Sequence, residues 1–365
     1  MPHVLSFVNE IRSSSIPVET AECVAATTDA EVTILGFYTP EELDPDLRDL
    51  TAEVETLGAD GKFDVTAWRR LDAYLASGEY DVFHTNHNFN GSVGRLVASR
   101  HDVAVVDTEH NDHRHFTPLQ NAANAPTLPL ADAVVANSDS TAESYRWYED
   151  LLLTTKKQRT IYNGVDFSRI DRAIEENDTV GLPSSPLIVT VGSLIEQKRH
   201  KTLIEALPTV HKSVPDASLI VVGTGPRERE LKERAATAGV ADSVEFTGYL
   251  PTREDVYRTV AAADVFSIAS GWEGFCVAVV EAMACGLPTV VSDIEVFREV
   301  VGSKGLFAPV GDPSQFATRL VELLEDKYER TRRGEALQAR ARDLYPLECA
   351  AQRYFDLYVE VGAGA

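Results

Sequence analysis

The stretch from residue 264 to residue 293 constrains the fold of this chain more than any other. A strand-like apolar run leads into a turn with two glycines, and an apolar helix begins near Cys276. The helix ends at Gly286-Leu287-Pro288, which is a stop signal, and a second buried strand covers residues 289–292. A strand, a helix and a strand in this order predict two parallel strands joined by a right-handed crossover.

Two glutamates lie near the start of this predicted helix. Glu273 precedes the first turn, and Glu281 lies two turns further on. The free N–H groups and the positive dipole end of a helix N-terminus attract anions. Two carboxylates beside an anion site favour a sugar or ribose hydroxyl next to a phosphate. The alternative is an ordinary helix entry, with Glu273 as a cap and Glu281 as a solvent-facing charge.

The same alternation of strands and helices runs through the chain and predicts an α/β fold. The predicted strands are 3–8, 31–38, 80–85, 103–108 and 133–137 in the first half, and 187–192, 218–223, 243–247, 265–269, 289–292 and 305–308 in the second. Alternation of this kind is typical of doubly wound parallel sheets, in which ligands bind at the carboxyl ends of the strands.

A polar segment containing glycine and proline, residues 168–186, separates the two series of strands and marks a domain boundary. We therefore predict an N-terminal domain of residues 1–164 and a C-terminal domain of residues 165–345, both Rossmann-like and facing each other across a cleft. The last predicted helix, within residues 346–365, is expected to cross back to the N-terminal domain.

The net charge of −23 excludes several classes of partner. Nucleic acid and anionic lipid both require a basic patch, and the chain carries an excess of acidic residues. No apolar run reaches the roughly 18 residues of a membrane span, and the N-terminus lacks the basic residues of a signal peptide. The four cysteines form no Cys-x-x-Cys pair, so we expect a reduced, cytoplasmic protein, in solution or at the inner face of the membrane. The oligomeric state stays open.

The acidic composition also suggests a high-salt interior, where salt screens the self-repulsion of the folded state. The alternative is an ordinary acidic enzyme. Equal stability against denaturant in dilute buffer and in molar KCl would contradict the halophilic hypothesis.

Polar residues follow the predicted strands of the first half. They occupy residues 9–15, 84–88 and 109–115. The histidines of the third segment match no specific zinc-ligand spacing, so we predict no metal site. His110, at a strand end, is placed to contact a substrate hydroxyl or phosphate. His113 and His115 are expected to lie in a solvated loop.

The turn after the first strand of the second series carries Lys198, which is well placed to meet a phosphate. The alternative is a solvated charge near a helix start. A Gly-x-Gly at residues 223–225 lacks the third glycine of a dinucleotide fingerprint. It therefore indicates a strand–helix turn more than a nicotinamide site.

Taken together, these residues resemble the retaining nucleotide-sugar glycosyltransferases of family four, the group 1 glycosyltransferases, which have the GT-B fold. The resemblance covers nearly all of residues 130–361, and in the N-terminal half only the strand rhythm and His110 match. It is carried by Asn137-Ser138, Tyr162 to Asp166, Phe246 to Leu250, Ala262 to Phe266, and Glu273 to Asp293, in which seven residues separate Glu273 from Glu281.

The resemblance implies roles at the donor sugar and its phosphates. Glu273 would accept hydrogen bonds from the sugar hydroxyls, and Lys198 would neutralise the diphosphate as the bond to the anomeric carbon breaks. The backbone N–H groups that face the sugar and its phosphate would be those of Gly274, Phe275 and Cys276.

The resemblance also implies roles further from the reacting bond. Glu281 would bind the two ribose hydroxyls of the donor, and the backbone at Leu250 would contact the base edge. His110 would approach the transferred sugar from the N-terminal domain. The donor would be a UDP- or GDP-sugar, and no permanently bound cofactor or metal is implied. The Asp-x-Asp at residues 44–46 lies outside any strand pattern and is interpreted as surface.

Two positions depart from the family pattern. The family usually has arginine where this chain has Ser193, and losing one charge-assisted hydrogen bond costs ~1.5–3 kcal/mol unless Arg199 or another cation substitutes. The family's first loop is usually rich in glycine, whereas this chain has Glu10 to Ser15. On this acceptor-side loop Ser13, Ser14 and Ser15 could donate hydroxyls, and Arg12 could supply the missing charge.

Three hypotheses of function follow. The first is a retaining, metal-independent glycosyltransferase acting on a glycan, a lipid-linked glycan or a small molecule. The second is a GT-B protein that binds a nucleotide sugar or glycan without turnover, motivated by Ser193 and the first loop. The third, a nucleotide-sugar epimerase or a dehydrogenase, is disfavoured because the first strand lacks a Gly-x-Gly-x-x-Gly.

Overall fold

A computed structural model describes residues 1–12, 15–39, 50–86, 88–153, 157–176 and 186–363. The described chain forms two compact units, which we call unit 1 (residues 1–164 and 347–365) and unit 2 (residues 165–346). Ser13 and Ser14 of the acceptor-side loop, and the Asp-x-Asp at 44–46, lie outside the described residues.

Unit 1 is built on a parallel sheet. Its strands are β1 (His3–Val8), β2 (Glu31–Gly36), β3 (Glu53–Thr56), β4 (Val82–Thr85), β5 (Ala104–Glu109), β6 (Ala133–Ala136) and β7 (Gln158–Thr160). They pair in the order β3-β2-β1-β4-β5-β6-β7. The central strands are nearly continuous apolar runs because both faces of the sheet are buried, whereas the edge strands β3 and β7 are polar and escaped prediction.

Helices cover this sheet. Those within residues 1–164 are α1 (Ile16–Thr27), α2 (Val65–Ala76), α3 (Asn88–Ala98), α4 (Pro118–Asn124), α5 (Asp139–Ala142) and α6 (Trp147–Leu152). Successive residues of β1 pack into different apolar clusters, Val4 with α1 and Leu5 with α2, because the side chains of a strand alternate between the two faces of the sheet.

Unit 2 is built on a second parallel sheet. Its strands are β8 (Leu187–Val191), β9 (Ser218–Val222), β10 (Val244–Gly248), β11 (Val265–Ile268), β12 (Thr289–Ser292) and β13 (Leu306–Ala308). Its helices are α7 (Phe167–Glu175), α8 (His200–Val210), α9 (Glu228–Thr237), α10 (Arg253–Ala261), α11 (Val277–Ala284), α12 (Glu295–Val301), α13 (Pro313–Glu325) and α14 (Lys327–Leu344). The strands pair in the order β10-β9-β8-β11-β12-β13.

The last helix, α15 (Leu347–Gly362), belongs to unit 1 and packs against α1. Two of its tyrosines form hydrogen bonds with the sheet: Tyr358 Oη lies 2.7 Å from His84 Nδ1, and Tyr354 Oη lies 3.0 Å from Thr108 Oγ1. These bonds and the buried apolar face of α15 hold the helix on unit 1.

Both sheets confirm the predicted doubly wound α/β class. In each, the strand order reverses beside the first strand of the series, between β1 and β4 in unit 1 and between β8 and β11 in unit 2. Loops leaving the carboxyl ends of two such strands diverge and open a crevice, which is where doubly wound sheets bind ligands. The candidate sites are therefore the loops after these four strands.

Candidate active site at the second sheet

Two loops at the crevice of unit 2 bring a lysine and a glutamate into contact. Lys198, in the loop after β8, donates through Nζ to Glu273 Oε1 at 2.6 Å, and Ser270 Oγ donates to the same oxygen at 2.7 Å. Gln197 Nε2 donates to the carbonyl of Trp272 at 2.9 Å, and Gly271 N donates back to the carbonyl of Gln197 at 2.8 Å. The two loops are therefore fixed to one another by side chains and backbone.

This ion pair is largely shielded from solvent. The side chain of Glu273 is 7% exposed and that of Lys198 is 17% exposed. Burial opposes the charge on Lys198, but the neighbouring Cys276 and Glu273 outweigh it and hold the pKa of Lys198 above its ordinary value. Lys198 is therefore a fixed cation that an incoming anion meets in a weakly screened setting.

Helix α11 begins directly behind this pair. Its N-cap residue, Cys276, has φ 69° and makes no side-chain cap, so Glu273 is not the helix cap. A left-handed conformation costs a non-glycine residue ~1–2 kcal/mol and marks backbone that surrounding structure holds in place. Burial, and then the charge of Glu273, raise the pKa of the Cys276 thiol to about 12, which leaves it protonated and a poor nucleophile.

Glu281 lies in the second turn of α11 and is buried, which rules out a solvent-facing charge. Its Oε1 accepts a hydrogen bond from the guanidinium of Arg253, at the start of α10, and another from Tyr257 Oη at 3.4 Å. Arg253 Nε also donates to Tyr257 Oη at 3.1 Å. Sequence reasoning missed Arg253, because a separation of 28 residues leaves no local spacing signal.

One of the two departures from the family pattern, Ser193, lies in the loop after β8, together with Arg199, the cation that could compensate for it. Ser193 is exposed, and its carbonyl accepts from His200 Nε2 at 3.2 Å. Arg199 is the second described non-glycine residue with positive φ, at 48°. Its side chain passes close to Gly271 and Gly311. A Cβ added to Gly271 would lie 2.7 Å from Arg199 Nε, and a Cβ added to Gly311 would lie 3.4 Å from Arg199 Nη1. Arg199 Nε is buried without a hydrogen-bond partner among the described residues.

Leu250 lies further from the ion pair along the same edge of the sheet. It is half-buried in the loop between β10 and α10, and β10 is two strands from β8. The helix that follows this loop, α10, begins with Arg253, so the loop lies close in sequence to the partner of Glu281.

The loops after β1, β4 and β5 form the corresponding edge of unit 1. His110 follows β5, and its Nε2 lies 3.3 Å from Asn86 Oδ1. Both line a small pocket together with Asn163 and the two tyrosines of α15. Arg12 is exposed and forms an ion pair with Glu10 at 2.5 Å. Ser15 is the N-cap residue of α1 and makes no side-chain cap.

The expectation that His113 is solvated is wrong, whereas the side chain of His115 is 43% exposed. His113 is fully buried, with Nδ1 3.0 Å from Glu149 Oε1 and Nε2 3.4 Å from Glu109 Oε2. Burial opposes its charge, but Glu109 and then Glu149 outweigh burial and raise the pKa of His113 to about 9. Its partner Glu149 lies 36 residues away, so the local sequence gives no sign of the burial.

A second buried charge pair lies beside this histidine. Arg95 contacts Asp107, which accepts a hydrogen bond from Thr85, and neither Arg95 nor Asp107 is more than 2% exposed. Asn124 links the two groups, because it accepts from Arg95 and donates to Glu109 Oε1 at 2.5 Å. Across the part of the chain that the structure describes, no group of three or more His, Cys, Asp or Glu could hold a metal ion.

Comparison with known proteins identifies the family of both units. The family model described as Glycosyltransferase Family 4 matches residues 19–169, and that of Glycosyl transferases group 1 matches residues 173–340. A D-inositol 3-phosphate glycosyltransferase of Xylanimonas cellulosilytica is 31% identical over 321 residues, covering 80% of this chain and 74% of the relative. A phosphatidyl-myo-inositol mannosyltransferase of Mycobacterium leprae is 27% identical over 278 residues, 74% of this chain and 71% of the relative.

Solved structures share the fold at low identity. Anabaena Alr3699/HepE in complex with UDP and glucose has a TM-score of 0.83 and 20% identity, covering 99% of this chain and all of that one. Sucrose-phosphate synthase from Thermosynechococcus elongatus has a TM-score of 0.82 and 20% identity over both full chains. Among the helices that the structure describes, none is long and apolar enough to cross a membrane. The chain has the GT-B fold and belongs to the group 1 glycosyltransferases of glycosyltransferase family 4.

Proposed function

We propose that this glycosyltransferase moves a sugar from a UDP- or GDP-sugar to an acceptor hydroxyl, with retention at the anomeric carbon and without a metal ion. The observation that carries the proposal is the shielded Lys198–Glu273 pair, 2.6 Å apart, at the crevice of unit 2 and beside the start of α11. A cation and a carboxylate in this position offer the two partners that a sugar diphosphate needs.

The donor sugar and its phosphates would occupy the space in front of α11. Glu273 accepts hydrogen bonds from the sugar hydroxyls, and the ammonium group of Lys198 interacts with the diphosphate. The N–H groups of Gly274, Phe275 and Cys276, at the positive end of the helix dipole, complete the anion site. Because Lys198 is held by Glu273 before the donor binds, little reorganisation is needed when charge develops.

The nucleoside would extend from this point along the same edge. Glu281 takes the two ribose hydroxyls, and the backbone at Leu250 contacts the base. Arg253 holds the Glu281 carboxylate in one orientation and remains its partner, since a carboxylate can accept from several donors at once.

The reaction requires no nucleophile on the protein. The bond between the anomeric carbon and the β-phosphate oxygen breaks, and the acceptor oxygen bonds to the same face of that carbon. The acceptor's proton passes to the departing phosphate oxygen. The high pKa of Cys276 supports this scheme, since the thiol nearest the pair stays neutral. His110 of unit 1 contacts the transferred sugar in this proposal.

Arg199 is proposed as the cation that compensates for Ser193. It adjoins Lys198 in sequence, its strained backbone is held in place, and its Nε has no described protein partner. An arginine whose buried donor is unsatisfied gains from an anion nearby, because a hydrogen bond to a charged group contributes ~1.5–3 kcal/mol.

A melting-temperature screen with UDP, GDP and ADP tests the donor assignment. The matching nucleotide at 100 times its Kd should stabilise the folded state by ~2.7 kcal/mol. The matching UDP- or GDP-sugar should then lose its sugar to an acceptor or to water, and Glu273→Ala should abolish this release. Release that survives Glu273→Ala unchanged would overturn the site assignment.

The second candidate is a GT-B protein that binds a nucleotide sugar or glycan without turnover. Ser193 and the first loop, which lacks glycine between Glu10 and Ser15, favour it. Nucleotide binding without any sugar release from the matching donor would decide for this candidate.

A further inference from the structure

Asparagines line the carboxyl edge of the unit 1 sheet. Five of its seven strands are followed within three residues by an asparagine; these are Asn9 after β1, Asn86 after β4, Asn111 after β5, Asn137 after β6 and Asn163 after β7. The first turn of α3, which follows β4, adds Asn88 and Asn90. We call these seven residues the amide edge. It includes the loops at the crevice of unit 1, where this class of sheet binds ligands.

Several of these amides have unused hydrogen-bonding capacity. Both polar atoms of the Asn88 side chain are buried without a partner among the described residues, and so is Asn137 Oδ1. Asn137 is 2% exposed, and its Nδ2 donates to the carbonyl of His110 at 3.3 Å. A buried polar group without a partner is destabilising, and a ligand hydroxyl can offset this by supplying the missing hydrogen bond.

The charges beside the amide edge do not favour an anion. Of the arginines in these loops, Arg12 forms an ion pair with Glu10 at 2.5 Å, and Arg114 forms one with Asp112 at 3.0 Å. The carboxylate of Asp139 follows Asn137 closely and accepts from Tyr162 Oη at 3.0 Å.

The imidazole behind the edge does not add a positive charge either. His84 lines the same pocket as His110, and burial lowers the pKa of His84 to about 3, so this ring is neutral. A phosphate at this edge would meet carboxylates, neutral amides and arginines that are already paired.

We propose that the acceptor presents an uncharged polyhydroxyl ring, a sugar or an unphosphorylated inositol, to the amide edge. The inference rests on the proposed function and names its acceptor class. An amide offers one acceptor oxygen and two N–H donors, which match the donor and acceptor roles of neighbouring ring hydroxyls. The acceptor therefore differs in charge from the inositol 3-phosphate in the name of the Xylanimonas relative.

Matched acceptor pairs test the proposal. With the donor found in the nucleotide screen, transfer is measured to myo-inositol and inositol 3-phosphate, to methyl glucoside and methyl glucoside 6-phosphate, and to a panel of neutral disaccharides. We expect at least one neutral compound to be used, with kcat/KM at least tenfold above that of its phosphorylated counterpart. Preference for a phosphorylated compound, or donor hydrolysis without transfer to any neutral compound, would overturn the inference.

Charge substitutions at Asn163 give a second readout that does not depend on how much enzyme folds. Asn163 is half-buried and lines the pocket with His110. Asn163→Lys should raise the ratio of phosphorylated to neutral acceptor use about fivefold or more, and Asn163→Asp should lower it. Gln315→Lys and Gln315→Glu, on the exposed first turn of α13 in unit 2, are matched controls and should leave the ratio unchanged.

An unchanged ratio in both Asn163 variants would contradict the placement of the acceptor at the amide edge. The two proposals fail in different ways. Absence of any sugar release, with or without acceptor, defeats the proposed function, whereas release combined with a preference for phosphorylated acceptors defeats only this inference.

Discussion

The two units share a strand order but place their charges differently. In unit 2 the ion pair of Lys198 and Glu273 lies in the loops at the carboxyl edge of the sheet. In unit 1 the corresponding edge carries neutral asparagines beside arginines that are already paired with carboxylates, and the fully buried charges are the pair of Arg95 with Asp107 and the imidazolium of His113 with its glutamates.

This difference separates two uses of buried charge on one scaffold. Charges at a crevice are available to a ligand, and their removal should affect binding and turnover. The fully buried charges of unit 1 pair with one another. Removing one of them should therefore affect folding, because breaking a buried pair typically costs ~3–5 kcal/mol.

Replacing Lys198 should have the largest effect on activity. In the proposed mechanism Lys198 stabilises the leaving diphosphate, so we expect Lys198→Ala to lower kcat about 10²–10³-fold, measured as initial rate with the matching donor. Lys212→Ala, which removes an exposed lysine of unit 2, is the control and should retain full activity. Activity within threefold of the unmodified chain would contradict the role of Lys198.

The double variant Lys198→Met/Glu273→Gln separates stability from function. Because it removes both charges together, it leaves no uncompensated carboxylate at this site. We expect it to melt close to the unmodified chain while remaining inactive.

The His113 cluster should make the stability of unit 1 depend on pH. The pKa of His113 is raised from 6.5 to about 9, so its stabilising contribution is complete below about pH 6.5 and is lost as the pH rises to about 9. The loss should be on the order of 3 kcal/mol in the free energy of unfolding, measured by urea titration from pH 6.5 to pH 9.5.

His113→Gln should lower stability at neutral pH and remove this slope. The control is His115→Gln, since His115 lies two residues away and its side chain is 43% exposed. The same slope in His113→Gln and in the unmodified chain would show that another group titrates. Nucleotide affinity should not change in either variant, because both residues lie in unit 1.

Replacing Arg199 should have the smallest effect, with opposite signs for two measurements. Arg199→Gly removes a cation from the proposed donor site, so nucleotide affinity should fall about tenfold by calorimetry. It also relieves the left-handed backbone, which should stabilise unit 2 by ~1 kcal/mol in thermal unfolding. Arg199→Ala should lose the affinity without gaining stability, and Ser193→Arg added to Arg199→Gly should restore binding. Unchanged affinity in both single variants would refute the compensation by Arg199.

The fold was predictable because its signals are local. All six strands of the second sheet begin and end within one residue of their predicted bounds, since each is a short apolar run between turn residues. The missed strands β3 and β7 are sheet edges with polar sequences, where burial no longer imposes an apolar pattern.

The site was predictable only where its residues share one loop. The stretch around Glu273 was predictable because its glycines and the start of a helix are local sequence signals. The partner of Glu281 is Arg253, and the partner of His113 is Glu149, and both pairs depend on contacts between distant segments. Spacing along the chain carries no information about such contacts, which is why His113 was expected in solvent.

The protonated thiol of Cys276 offers a chemical probe of the proposed donor site. With its pKa raised to about 12, this thiol stays protonated at pH 8, so alkylating reagents should react with it slowly. Burial also raises the pKa of Cys285, whereas Cys349 is exposed on α15. The rate at which Cys276 is alkylated, followed by mass spectrometry, should therefore report changes in its surroundings when a nucleotide binds, and Cys349 is a ready attachment point for a fluorophore.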